Sequence, residues 1–400
     1  MKRLNAKTLA ALGFLVYFSS YVTRYNYKTI IEEFAAAENI IRSDASLPLT
    51  FSFLSYGIGQ LISGYIGDKV SPKKLILIGL VSSSVLNVLM TTGLGITVMC
   101  ILWTLNGFAQ SLIWPPLVKI LSGSMSREDY NNAVVIVNAA GSVGTVFIHL
   151  IAPVLFGIGG WKTVFFFSAF IGVASVLLFS FFTRNAEIQT VPKSDSKDNP
   201  EKSPIGPLVI SSGLIFICAA ILFHGILRDG IDTWTPTYLA KEHSLSTDSA
   251  IFVSVLVPMF SILSYKITSV INRKLIKNEL ILAILLFSIA GISTALTTVI
   301  PYMPAALFFL SLATGCMHGV NLLLVCQIPA RFAKYGKASL ISGSMNFFTY
   351  VGSAVSMWGL AKISQSFGWN VAFITCSVIA LVGITMCLIA RKKWQRFTAE

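Results

Sequence analysis

The chain has 400 residues, 54% hydrophobic and 12% charged, with a formal net charge of +13 and a mean hydropathy of +0.75. A soluble domain carries about 25% charged residues, so a water-soluble globule is excluded, and the basic excess is read by its location rather than as a nucleic-acid signature. A bilayer-crossing helix uses about 20 apolar residues, which leaves room for about twelve crossings and for no separate soluble domain.

The first apolar segment, 7–34, is too long for a cleaved signal and holds Arg24 and Lys28, so it reads as a span. Further apolar segments follow at 47–68, 73–92, 95–123, 130–157, 161–183, 207–240, 249–271, 278–298, 302–328, 337–363 and 367–390. The expected fold is therefore an all-α membrane protein of twelve transmembrane helices. The one long polar interruption, 184–206, is rich in Lys, Asp, Ser and Pro and falls midway. It gives an N-terminal six-helix bundle at 1–184, a cytoplasmic linker at 185–206 and a C-terminal six-helix bundle at 207–400. The six cysteines all lie in apolar segments without metal-ligand spacing and read as packing residues.

Even-numbered crossing puts both termini on one side. The loops of that side hold 21 of the 30 basic residues, whereas the opposite loops hold Arg42, Lys162, Lys241 and Lys362. Positive loops stay in the cytoplasm, so both termini are expected there, in a multi-pass protein of the cell inner (plasma) membrane.

The halves also resemble each other. Asn138, Val143, Gly144, Trp161 and Phe165 recur as Asn346, Val351, Gly352, Trp369 and Phe373, all at an offset of 208 residues, and the same offset pairs Gly107 with Gly315. Spans 4 to 6 and 10 to 12 read as copies, the pattern of two bundles related by pseudo-twofold symmetry. Gly57, Gly59, Gly64, Gly67, Gly141 and Gly144 are small residues that let helices approach closely.

Charge at mid-helix costs about 2.5–3.5 kcal/mol on insertion scales, so a charge kept there usually faces a cavity. Arg24 in span 1 and Arg228 in span 7 are such charges, each in the first helix of its half. Under the 208-residue offset Arg24 falls opposite Asp232, one turn beyond Arg228. Two guanidinium forks facing one central cavity would suit phosphate oxygens. The alternatives are structural: Arg228 pairs with Asp232 or Asp229, and Arg24 snorkels.

With these residues in view, the sequence resembles the organophosphate:phosphate antiporters of the major facilitator superfamily. The resemblance runs nearly the whole chain. Its sharpest parts are Tyr17, Tyr21 and Arg24 in span 1, Tyr56-Gly57 in span 2, Gly107 with Trp114-Pro115-Pro116 in span 4, Asn138 in span 5 and the run Arg228 to Tyr238 in span 7. It implies a major facilitator fold, phosphate bound by Arg24 and Arg228, and a site lined by Tyr17, Tyr21, Tyr56, Asn138 and Tyr350. Exchange of a small phosphorylated anion for inorganic phosphate, by rocking of the two halves, follows from the same resemblance.

This chain departs from the glycerol-phosphate carriers at three places. Gly141 stands where they have a histidine, Gln60 where they have a lysine, and Leu256 where they have an acidic residue. Extra charge sits instead at Lys28, Lys266 and His318; Lys28 and His318 join the substrate-binding candidates. His224 shares a face with Arg228, His149 reads as packing, and Lys119 as snorkelling. The stretch Gly64 to Lys73 resembles the cytoplasmic loop signature of major facilitators, in which Asp68, like Asp232, is read as gating or structural.

No phosphate-binding glycine loop leads to Lys-Ser/Thr, which argues against ATP drive, and no nucleophile elbow, metal cluster or carboxylate pair argues for an enzyme or a cofactor. The expected partners are a small anion, inorganic phosphate and the lipid bilayer, with the protein a monomer. A carrier of another organic anion such as a carboxylate, and a transporter-like sensor signalling to a partner, are the competing readings.

Overall fold

The structure is a computed structural model that describes residues 4–66, 70–93, 95–184, 205–332, 335 and 338–399; every regular element among them is helical. The principal helices are α1 (Ala6–Thr29), α2 (Leu47–Ile66), α3 (Pro72–Met90), α4 (Ile96–Ser111), α5 (Trp114–Ser124), α6 (Arg127–Thr183), α7 (Leu214–Glu242), α8 (Leu256–Lys274), α9 (Glu279–Val299), α10 (Met303–Val320), α11 (Ala338–Phe367) and α12 (Trp369–Ala399). Among the described residues, eight helical stretches are long and apolar enough to cross a membrane. The polar side chains Thr23, Arg24, Asn26 and Lys28 in its second half lower the hydropathy of α1.

Local chemistry sets the ends. Asn5 caps α1 by accepting from Thr8 N at 2.7 Å, and Ser126 caps α6 by accepting from Asp129 N at 3.1 Å. Asn278 caps α9, accepting from Leu280 N and Ile281 N at 3.0 and 3.1 Å. Pro72 opens α3, where a missing N–H costs nothing. The expected span at 95–123 is broken at Leu112-Ile113, just before Trp114-Pro115-Pro116 restarts the helix.

The 57-residue run α6 is two helices joined at Gly159 and Gly160, where Gly160 has φ 70°. Gly368 has φ 86° and opens α12. Both left-handed glycines precede a tryptophan, and they lie 208 residues apart, so the repeat extends to the backbone turn that joins the last two spans of each half. Equivalent close approaches accompany it. A Cβ on Gly144 would lie 2.9 Å from the Phe18 carbonyl of α1, and one on Gly352 would strike the Leu222 carbonyl of α7.

Contacts group the chain into two compact units, residues 1–40 with 51–197, and residues 41–50 with 198–400. In the first, α1 packs along α6, and α3 packs on α4 and α6, around a core that includes Leu12, Val16, Leu80, Ile113, Leu117 and Val137. In the second, α7 packs on α11, α12 and α10, and α9 on α10 and α12. The segment 41–50 joins this unit through its short helix Arg42–Ala45. Arg42 Nη1 donates to Ser364 Oγ at 3.2 Å, and its guanidinium lies 5.3 Å from the Trp369 ring centre.

The last helix runs past the apolar limit at 390 to Ala399. Its basic tail is held because Trp394 is fully buried, lies against Phe332 and Phe397, and donates from Nε1 to Glu279 Oε2 at 3.3 Å. Glu279 also accepts from Arg331 Nη2 at 2.9 Å, and its carboxylate sits in the first turn of α9, where negative charge is favoured.

Candidate functional site

Residues 17, 21, 24 and 28 are spaced to form one stripe of α1. Arg24 and Lys28 are both buried, at 5% and 4% exposure. The Arg24 guanidinium carbon lies 4.9 Å from the Tyr21 ring centre, 5.1 Å from that of Tyr25 and 4.4 Å from that of Tyr56. Lys28 Nζ lies 4.8 Å from the Tyr25 ring. Tyr21 and Tyr25 stack at 4.9 Å, and Tyr17 bridges from Tyr21 to Trp114, at 5.1 and 4.6 Å. Desolvated cation–π contacts are worth about 2 kcal/mol or more each, so the rings hold the two cations in place.

Gly141 belongs to this cage. A Cβ there would come within 2.8 Å of Tyr21 Cζ and 2.9 Å of Tyr21 Cε2, so the glycine makes room for a tyrosine ring. We expect Gly141→Ala to shift Tyr21 off Arg24 while leaving the fold intact, a loss of roughly 1 kcal/mol of ring–cation support, read as a lower thermal midpoint. An unchanged thermal midpoint would show that the ring position does not matter.

An adjacent face of α1 is fixed by a buried polar network. Gln110 Nε2 donates to Thr23 Oγ1 at 2.8 Å and to Ser83 Oγ at 2.7 Å, and Ser20 Oγ donates to Gln110 Oε1. Ser83 Oγ donates to Asn106 Oδ1 at 2.6 Å. Asn87 Nδ2 reaches the Thr23 carbonyl at 2.9 Å, and Asn26 Nδ2 donates to Asn87 Oδ1 at 2.6 Å. The network ties α1 to α3 and α4 and so fixes the register of the Arg24 stripe. Gln110→Leu would strand the buried Ser20 hydroxyl, whereas Thr23 keeps the Ser19 carbonyl and Ser83 keeps Asn106. We expect a loss of about 1–3 kcal/mol, the cost of one stranded buried polar group, read as a lower thermal midpoint.

The second unit builds a different site. Arg228 Nε donates to Asp229 Oδ1 at 2.9 Å and Nη2 to Asp229 Oδ2 at 2.7 Å, a two-pronged ion pair. Arg228 Nη1 reaches Asn321 Oδ1 at 3.3 Å, and the guanidinium lies 6.0 Å from the Tyr350 ring centre. Ser353 Oγ of α11 donates to Asp229 Oδ2. Asn321 opens a π-helical segment, Asn321–Gln327, that continues α10; such wide turns recur at functional sites because they re-aim side chains.

The histidines flank this pair. His318 Nδ1 meets the Thr314 carbonyl at 3.0 Å, and its ring lies 5.6 Å from that of Tyr265. His224 is fully buried, beside the Ile221 carbonyl one turn earlier. Asp232 is half-buried and Lys266 exposed. His149 is buried and bonded to the Thr145 carbonyl at 2.8 Å, the packing role expected of it. Asp68 and the Asn138 side chain lie outside the described residues.

The structure brings Tyr17, Tyr21, Arg24, Lys28 and Tyr56 into one cluster of the first unit. It brings Arg228, His318 and Tyr350 into one neighbourhood of the second, where Arg228 takes the structural alternative of pairing with Asp229. The sequence expectation set all of them around one central cavity. It missed Tyr25, Asn321, Ser353 and the Gln110 network. Tyr25 was legible, being adjacent to Arg24 and three residues before Lys28; the others come from helices remote in sequence.

Buried charges in long helices, in a chain with eight described stretches apolar enough to cross a bilayer, mark a polytopic membrane protein. The model of the Major Facilitator Superfamily matches residues 9–357, and the chain belongs to that family. It is 24% identical to the membrane sensor protein UhpC of Salmonella typhimurium over 94% of this chain and 88% of that one. It is 24% identical to the glycerol-3-phosphate transporter of Bacillus subtilis, over 97% and 91% of the two chains. It is 20% identical to a probable hexose phosphate transport protein of Chlamydia muridarum, over 92% and 88%. These relatives bear out the resemblance to phosphate-ester carriers. Among solved structures, a bacterial homologue of the human lysosomal transporter Spinster superposes with a TM-score of 0.81 at 12% identity, covering 98% of each chain, which establishes the fold.

Proposed function

We propose that the protein is a secondary transporter of a small phosphorylated organic anion, of the glycerol-phosphate or sugar-phosphate type. It exchanges this anion for inorganic phosphate by alternating access, as a monomer of the inner (plasma) membrane with both termini in the cytoplasm. The bundles 1–184 and 207–400 are its two working units, joined by the cytoplasmic linker 185–206. Arg24 and Arg228 bind the phosphate group. Tyr17, Tyr21, Lys28, Tyr56, Asn138, His318 and Tyr350 surround the substrate.

The observation that carries this reading is the burial of Arg24 and Lys28 in a tyrosine cage inside the first span. Two retained cations beside phenolic donors suit an anion with several oxygens, and the planar guanidinium matches phosphate edge-on. The names of the Bacillus and Chlamydia relatives point to the same substrate class. A thermal-shift screen of the purified protein against phosphate esters, free sugars and carboxylates tests it. Stabilisation by esters and phosphate alone is the expected result; stabilisation by carboxylates alone moves the substrate to another organic anion.

The match to a membrane sensor favours a second reading, a sensor that binds the same anion and signals to a partner. Ester binding without flux in proteoliposomes is the outcome that would select it.

A further inference from the structure

The second unit holds a negative charge where an anion carrier would be expected to keep its arginine open. Asp229 is buried at 4% exposure, and both of its oxygens are engaged by Arg228 Nε and Nη2, at 2.9 and 2.7 Å. This is the two-point contact that a phosphate group would make with the same nitrogens. We propose that Asp229 is a tethered counter-anion: it occupies Arg228 when no substrate is bound, is displaced by an incoming phosphate-type anion, and takes up one proton as it leaves. The inference rests on the reading that Arg228 binds the substrate anion.

The proton follows from charge. Before binding, Arg228 and Asp229 cancel. Once an anion holds Arg228, Asp229 is a buried carboxylate deprived of its cation and placed beside a second negative charge, and both conditions favour the neutral acid. Ser353 Oγ stays in contact and, as a hydroxyl, can donate to the carboxylate or accept from the protonated acid. One ion pair is exchanged for another, one O–H bond forms on Asp229, and the proton is given up by the protonated form of the buffer in the surrounding solution.

Other groups could carry that proton and are distinguishable. His224 and Asp232 lie on α7 itself, and His318 on α10; all act electrostatically within this cluster. The π-helical segment brings Asn321 and Cys326, and α11 brings Tyr350 and Ser353. The last helix, α12, meets α7 through Trp369 and Phe373 against Tyr238.

A net anion entry would thus carry a proton with it, whereas in one-for-one exchange the proton rides in both directions and cancels. Asp229 thereby sets whether net flux follows the pH gradient, a property that pure exchange conceals.

The test is calorimetric titration of the full-length protein with glycerol 3-phosphate and glucose 6-phosphate at pH 7.5–9, where a phosphate monoester with a second pKa of about 6 is already dianionic. Running each titration in two buffers of different ionisation enthalpy counts protons in the wild-type protein without any variant. Wild type is expected to take up one proton per anion, with Kd rising about tenfold per pH unit, the slope of a one-proton linkage. Asp229→Asn is expected to take up none, to show a flat Kd, and to bind about tenfold more tightly at pH 8. No proton uptake by wild type overturns the proposal, as does an Asp229→Asn protein that keeps the slope. A slope lost in His318→Gln or His224→Gln but kept in Asp229→Asn moves the proton to the histidine and also overturns it. Wild type that binds neither ester overturns the phosphate reading itself.

Discussion

Arg24→Lys is expected to reduce phosphate-ester flux in proteoliposomes by at least about a hundredfold while leaving the protein folded, a loss of roughly 3 kcal/mol at about 1.4 kcal/mol per factor of ten. The substitution keeps the positive charge and keeps a cation against the faces of Tyr21, Tyr25 and Tyr56, so the cage stays satisfied. What it removes is the planar fork. An ammonium offers a point charge and cannot present two parallel N–H donors to one phosphate edge. Near-normal flux with a normal thermal midpoint would show that charge alone is recognised and that the guanidinium geometry is incidental. The more drastic Arg24→Ala would not separate these cases, because it also empties the cage.

Arg228→Lys carries the second large effect, for a different reason. Here the fork already grips Asp229 at both oxygens and reaches Asn321 with its third nitrogen. A lysine at 228 can keep an ion pair with Asp229 but not the two-point contact, so anion and carboxylate would no longer compete for equivalent positions. We expect transport to fall by about a hundredfold, again close to 3 kcal/mol, with the folded state retained because the buried carboxylate still has a cation. Full flux in this variant, measured beside Arg24→Lys, would leave the second unit without a role in recognition.

The fold was legible because bilayer physics leaves few choices. Apolar segment length, the single polar stretch at midchain and the 208-residue echo of Trp161 in Trp369 locate the helices to within a few residues. The glycines before those tryptophans, Gly160 and Gly368, carry the same message in backbone form. The interruptions were harder to read. Gly213 breaks the expected seventh span with φ 69°, and nothing in its apolar neighbours marks it apart from helix-packing glycines such as Gly144. The tail of α12 was cut short at 390 because its basic residues end the hydropathy signal, whereas burial of Trp394 against Phe332 and Glu279 keeps it helical.

The site was legible where it lies along one helix and hidden where it does not. Spacing alone lines up Tyr17, Tyr21, Arg24 and Lys28. By contrast, Gln110 looks like an ordinary polar residue in an apolar span until α1, α3 and α4 come together and it is found bonded to Thr23 and Ser83. For Arg228, both Asp229 and Asp232 were plausible partners. Helix geometry favours the residue one turn on, yet the long guanidinium side chain folds back onto its immediate neighbour. The π-helical turn that delivers Asn321 leaves no periodicity signal at all.

Counterflow of radiolabelled inorganic phosphate in proteoliposomes preloaded with unlabelled phosphate tests the central claim most directly. Rapid label entry that depends on the internal phosphate, inhibited by an added phosphate ester and absent in Arg24→Lys, is the result this account predicts. Label entry that ignores internal phosphate, or that persists undiminished in Arg24→Lys, would contradict it.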